Sequence, residues 1–131
     1  MASNLKNLSD YNKKSILSAK DMLIGIIISE WNAEITEALL KGAIDTFIEN
    51  GVIKSNIILK YVPGSFELPL GAQWLIENTD VDAVLCLGCV IQGETRHFEF
   101  ICQTVAQSIS NVALEFSIPV IFGVLFLPRK S

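Results

Sequence analysis

"DAVLCLGCVIQGETRHFEFICQTVAQSISNVALEF", residues 82–116, changes its period once. Residues 82–91 are apolar nearly throughout, the pattern of a strand buried on both faces of a parallel sheet. From residue 98 the apolar side chains recur at steps of three and four. They are Phe98, Ile101, Cys102, Val105, Ala106, Ile109, Val112, Ala113 and Phe116. That spacing is one apolar face of a helix, and it makes Cys102 a core residue. A buried strand, a short polar connection and an amphipathic helix are the repeating half of an α/β fold.

The alternation extends in both directions. "MLIGIIIS" (22–29), "NIILKYV" (56–62) and "PVIFGVLFL" (119–127) read as further buried strands. Strand starts near 22, 56, 82 and 119 are 26 to 37 residues apart, one right-handed crossover each. "AEITEALLKGAIDTFIEN" (33–50) is a helix that directs Ile35, Leu39, Gly42 and Ile48 to one side and stops at Asn50-Gly51. "SFELPLGAQWLIENT" (65–79) is a shorter one, with Pro69 in or just after its first turn, where a missing amide costs least. Polar, turn-rich residues 1–21 read as a tail, or as an arm that orders against a neighbour. The expectation is one three-layer α/β domain, 22–131, on a central parallel four-stranded sheet.

The bulk numbers narrow the function. Half of the 131 residues are apolar, 18% are charged and the net charge is -4. With no basic block, nucleic acid is disfavoured as a partner. The longest apolar run, "IPVIFGVLFL", is too short to span a bilayer, so no membrane is expected. The polar start "MASNLKNLSDYNKKS" has no signal-peptide core, and the expected location is the cytoplasm. Cys86, Cys89 and Cys102 are odd in number, and "CLGC" lies inside a strand rather than at a helix start. They read as structural thiols, without a disulfide framework or a metal.

In open parallel sheets the ligand lies beyond the carboxyl ends of the strands. After the first strand stands Trp31, which can stack on a flat ring. After the second comes "VPGSFEL", where Ser65 can cap the next helix and the amides near Ser65 and Phe66 can meet a polar ligand. Glu67 falls in that helix's first turn, where a carboxylate is favourable anyway. After the third comes "QGETRH". Gly93 permits a tight turn or close approach, Thr95 caps the helix, and the amides of Gly93, Glu94 and Thr95 can cradle an anion. The chain's one histidine, His97, follows in the first helical turn. It has no serine or cysteine partner, so proton transfer is favoured over a nucleophilic triad. Phe122, inside the fourth strand, reads by itself as core.

These residues carry a resemblance to the lumazine synthase family of riboflavin biosynthesis. "SEWN", "LLKGAIDTF", "VPGSFELPLGA", "DAVLCLGCVIQGETRHFEF" and "IPVIFGVL" are the matching segments. The resemblance implies a flavodoxin-like fold and a condensation of 5-amino-6-(D-ribitylamino)uracil with 3,4-dihydroxy-2-butanone 4-phosphate. The products are 6,7-dimethyl-8-ribityllumazine, phosphate and water, and no cofactor or metal takes part. Trp31 would stack on the pyrimidine. Ser65, Phe66 and Glu67 would hold the ribityl chain, and Cys89, Val90 and Ile91 would meet the pyrimidine through their backbone. Glu94 and Thr95 would face the phosphate. His97 would transfer protons, and Phe122 would close the pocket of the adjacent subunit.

The resemblance also implies a homo-oligomer, a pentamer or an assembly of pentamers, and raises riboflavin synthase as a partner. The likeness stops after "FGVL", where the family continues with a threonine-rich turn and two helices. The domain is therefore expected to lack those helices and the family's phosphate-binding arginine, a role that Arg129 comes too early to fill. An inactive or scaffold subunit of the same fold, or a flavin-binding flavodoxin-like protein, are the alternatives.

Overall fold

The four apolar runs form four parallel strands. The computed structural model describes residues 17–128 and contains β1 (Ile24–Ser29), β2 (Ile57–Val62), β3 (Ala83–Ile91) and β4 (Val120–Leu127). Between them lie α1 (Ala33–Glu49), α2 (Leu68–Asn78) and α3 (His97–Phe116). The sheet order is β2-β1-β3-β4, parallel throughout. Each strand begins one or two residues inside its expected start.

Alternation along β1 divides the core between two faces. Ile24, Ile26 and Ile28 pack with Leu40 of α1, Val52 and Leu87. Ile27, between them, faces the other way, into a larger cluster with Leu68, Ala72 and Leu75 of α2 and Val105, Ile109 and Val112 of α3. Ile26, Ile27 and Ile28 are almost wholly buried. Each such side chain contributes about 1.5–3 kcal/mol of burial. A strand wrapped on both faces has no polar alternation to show, which is why "IGIIIS" is buried at every position and carries no charged residue.

Two helices differ in detail from expectation. On α1 the buried residues are Thr36 and Leu40, with Leu39, Ala43, Ile44 and Phe47 half-buried against the core. Gly42 and Ile48 face outward instead. The expected set breaks step, because Ile48 lies six residues after Gly42 and turns to the far side, whereas Thr36, Leu40, Ala43 or Ile44, and Phe47 recur at steps of three and four. Asn32, ahead of the helix, adopts a left-handed conformation (φ 63°, ψ 45°). On α3 the expected face is buried at Cys102, Val105, Ile109 and Val112, while Ala106 is exposed.

Of the expected arm, residues 1–16 lie outside the described residues, as do Arg129 and Lys130. The rest of the arm runs against the end of α1, where the Ala19 amide donates to the Asn50 carbonyl at 3.0 Å. No described helix is long and apolar enough to cross a membrane.

The strand order positions the site. From β1 the chain moves outward to β2, then returns past β1 to form β3. The segments leaving β1 and β3 therefore part in opposite directions, and a crevice opens at their carboxyl ends.

Candidate active site

The floor of the crevice is the end of β3. Pairing of β1 with β3 stops at Ile28 and Leu87, whereas β3 stays paired with β4 as far as Ile91 and Leu127. The amides of Val84 and Gln92 donate toward β4, to the Pro119 and Leu127 carbonyls at 2.9 and 3.0 Å. By the alternation of a strand, the backbone groups of Cys89 and Ile91 turn the other way, toward the space where β1 has ended. A buried carbonyl there needs a donor. The Cys89 carbonyl accepts from Asn32 Nδ2 at 3.4 Å and from Ser65 Oγ at 3.3 Å. Gly88 makes room for this arrangement, since a Cβ on it would lie 2.5 Å from Ser65 Oγ.

Over this floor lies a cavity of about 280 Å³. Trp31, Ser65 and Phe66 line one side, Cys89, Val90 and Ile91 the floor, and Gly93, Thr95, His97 and Phe98 the other side. Trp31 follows β1, and its amide donates to the Pro63 carbonyl at 3.0 Å. Its ring lies against Gly64, where a Cβ would come within 2.6 Å of Trp31 Cε3. Any larger residue at 64 would push the ring away. The indole is nonetheless 67% exposed, so an aromatic surface faces the opening. His97 is the first residue of α3, and its amide donates to Thr95 Oγ1 at 3.3 Å. Arg96 occupies the cap position and pairs with Glu99 at 3.5 Å.

Several expected details differ. Ser65 does not cap the helix that follows; it is buried, and its hydroxyl serves Cys89. The capping falls to Glu67, whose Oε1 accepts from the Gly64 amide at 2.8 Å. Glu67 does not line the cavity with Trp31 and His97. It borders a neighbouring hollow with Tyr61, Leu70 and Trp74. Glu94 is exposed and also outside the lining. Gly93 reaches the cavity, but a Cβ there would meet nothing within 4 Å, so the loop is open rather than tight.

Phe122 is neither core nor part of this cavity. It is 40% exposed on the edge strand and meets Phe126 edge-on at 5.5 Å, and Phe126 in turn meets Phe98 at 6.2 Å. Phe98 and Ile101, read only as part of the apolar face of α3, also line the cavity, and Asn32 is a lining residue that sequence reasoning passed over. Its signal was present in "SEWN": asparagine tolerates the left-handed region, which a sharp exit from a strand requires.

Cys86, Cys89 and Cys102 are buried free thiols. Burial pushes the Cys86 thiol up to about 12 and raises Cys89 and Cys102 as well. Cys89 thus meets the cavity as a neutral wall. Among the described residues no cluster of three or more His, Cys, Asp or Glu side chains is placed to hold a metal ion.

An open parallel sheet whose β1 and β3 ends frame one cavity, with an exposed tryptophan and a helix-start histidine on its walls, is the architecture of an α/β enzyme. Residues 21–130 match the sequence pattern of 6,7-dimethyl-8-ribityllumazine synthase. The protein of that name from Cytophaga hutchinsonii is 54% identical over 131 residues, covering 100% of this chain and 82% of its own length. Those from Porphyromonas gingivalis and Parabacteroides distasonis are 51% and 49% identical over 125 residues, covering 95% of this chain and 78% of theirs. The chain belongs to the 6,7-dimethyl-8-ribityllumazine synthase family, transferases of riboflavin biosynthesis.

Proposed function

We propose that this protein condenses 5-amino-6-(D-ribitylamino)uracil with 3,4-dihydroxy-2-butanone 4-phosphate, in the cytoplasm, to give 6,7-dimethyl-8-ribityllumazine, phosphate and two waters. The observation that carries this reading is the single cavity shared by Trp31, Ser65, the Cys89–Ile91 strand end, Thr95 and His97. Trp31 stacks on the pyrimidine. The outward-turned backbone of Ile91 hydrogen-bonds the ring edge, and Ser65 and Phe66 guide the ribityl chain toward Glu67. With one Glu67 oxygen on the Gly64 amide, the other is left for a hydroxyl. The Gly93–Thr95 loop takes the phosphate.

The free amine of the uracil attacks the butanone carbonyl, and loss of water gives an imine. Elimination of phosphate follows, then ring closure by the ribityl-bearing nitrogen and loss of the second water. His97 stands at the phosphate end of the cavity and moves protons between these steps. Holding two reactants in one orientation supplies much of the rate. Phe122, on the exposed edge strand, closes the cavity of an adjoining subunit in a pentamer.

The test is to mix the purified chain with both substrates and follow the lumazine chromophore together with particle mass. Lumazine formation by a pentamer or an assembly of pentamers supports the reading. A folded protein that forms none sinks it, and flavin absorbance on such a protein would favour a flavin-binding role.

A further inference from the structure

We propose that Asn32 is a positioning residue, which shapes the strand end that receives the planar substrate; the substrate half of this inference rests on the function proposed above. Asn32 sits where four parts of the molecule meet. Its backbone is left-handed, which turns the chain from β1 into α1 directly after Trp31. Its carbonyl accepts the Ile35 and Thr36 amides at 3.0 and 3.1 Å, starting α1. Its side-chain amide donates to the Cys89 carbonyl, beyond the last residue of β1 that pairs with β3. It also lines the cavity beside the residues it holds.

The physical need is local. Gly88–Ile91 continue past β1 with a strand on one side only, and a strand end held on one side frays. Ser65 and Asn32 replace the missing strand with two side-chain donors on one carbonyl. Ser65 reaches that carbonyl from a buried position, and Asn32 from the rim. The two contacts hold Cys89, and Cys89 carries Val90 and Ile91. Asn32 therefore acts on the floor of the cavity through Cys89, whether or not it touches a ligand itself.

The experiment compares the full chain with Asn32→Gly and Asn32→Asp. Glycine keeps the left-handed backbone and removes the donor. Aspartate keeps the size and presents only acceptor oxygens to the Cys89 carbonyl. Two amides at opposite ends of the β3–β4 pairing, that of Val84 and that of Gln92 just past β3, report fraying by hydrogen exchange. In both variants Gln92 exchange should quicken about three- to tenfold, the range one hydrogen bond covers, with Val84 unchanged. KM for the uracil should rise by a similar factor, about three- to tenfold, with kcat within about twofold of the parent. Unchanged Gln92 exchange in both variants overturns the positioning role, as does an equal quickening of Val84 and Gln92. Faster Gln92 exchange with an unchanged KM overturns the link to substrate. A parent protein that forms no lumazine removes the proposed reaction, while the exchange comparison still decides whether Asn32 holds the strand end.

Discussion

Substituting Gly88 by alanine should damage the site and the fold together, and the expected size follows from three neighbours. The added Cβ would lie 2.5 Å from Ser65 Oγ, 2.9 Å from Leu68 Cδ1 and 3.4 Å from Ser29 Oγ. None can retreat cheaply. Leu68 and Ser29 are almost wholly buried, and Ser65 is the donor to Cys89. Overpacking of this kind costs about 1–3 kcal/mol, and loss of the Ser65 hydrogen bond adds about 0.5–1.5 kcal/mol. The total is about 1.5–4.5 kcal/mol. At about 2.1 cal/mol/K per residue the unfolding entropy of this chain is about 0.28 kcal/mol/K, so Tm should fall by about 5 to 16 °C.

The control is Gly42, in the exposed middle of α1, where a Cβ meets nothing within 4 Å. Gly42→Ala should raise stability by about 0.5–1 kcal/mol, because alanine loses less backbone entropy in a helix. Calorimetry of both variants reads the two signs side by side. A Gly88→Ala protein within 2 °C of the parent (about 0.5 kcal/mol) would refute the packing at the strand end. Similar shifts in both variants would refute the contrast between a crowded glycine and an open one.

Three further outcomes follow from the site and the core. Trp31→Ala should weaken uracil binding about tenfold, as for a lost stacking surface, with little change in Tm because the indole is mostly exposed; equal affinity would remove the stacking role. His97→Ala should lower kcat about a hundredfold while leaving uracil affinity near the parent value, and unaltered turnover would end the proton-transfer assignment. The Cys86 thiol has its folded value raised from 9.0 to about 12 by burial, so the folded state holds the proton more tightly. Its contribution is fully present below pH 9 and is lost as pH rises toward 12, reaching about 3 kcal/mol at pH 11. Denaturant titrations at pH 8 and pH 11 should show a shallower loss in Cys86→Ala than in the parent; parallel losses would argue against a buried neutral thiol.

Legibility differed from one part of the molecule to another. β1 and β3 were readable because an inner parallel strand covered on both faces writes a continuous apolar run, as in "IGIIIS"; β2 and β4, expected to be buried as well, are edge strands that expose Tyr61, Ile121, Phe122, Leu125 and Phe126. The face of α3 was readable because only one helical stripe of it is apolar. The face of α1 was not. The set read there breaks step between Gly42 and Ile48, and the face that packs is partly polar or small, at Thr36 and Ala43, so an apolar count does not mark it. Trp31, Thr95 and His97 were read from the strand exits and the fold brings them to one cavity, whereas Cys89, Val90 and Ile91, on its floor, were named only through the family resemblance.

Sequence by itself determined the layered α/β class, the strand boundaries to within two residues and the strand-exit segments that border the cavity, since all of these follow from local periodicity and turn residues. Only the tertiary structure decided which side chains meet. Ser65 was readable as a cap and became a clamp on Cys89, because β3 outruns β1 and leaves a carbonyl that must be paired. Glu67 was readable beside the site and turned to the Gly64 amide, because a free amide at a helix start attracts the nearest carboxylate. Asn32 drew no notice in the sequence and holds two elements together, because its partner is 57 residues away and that distance closes only when β3 lies down beside β1.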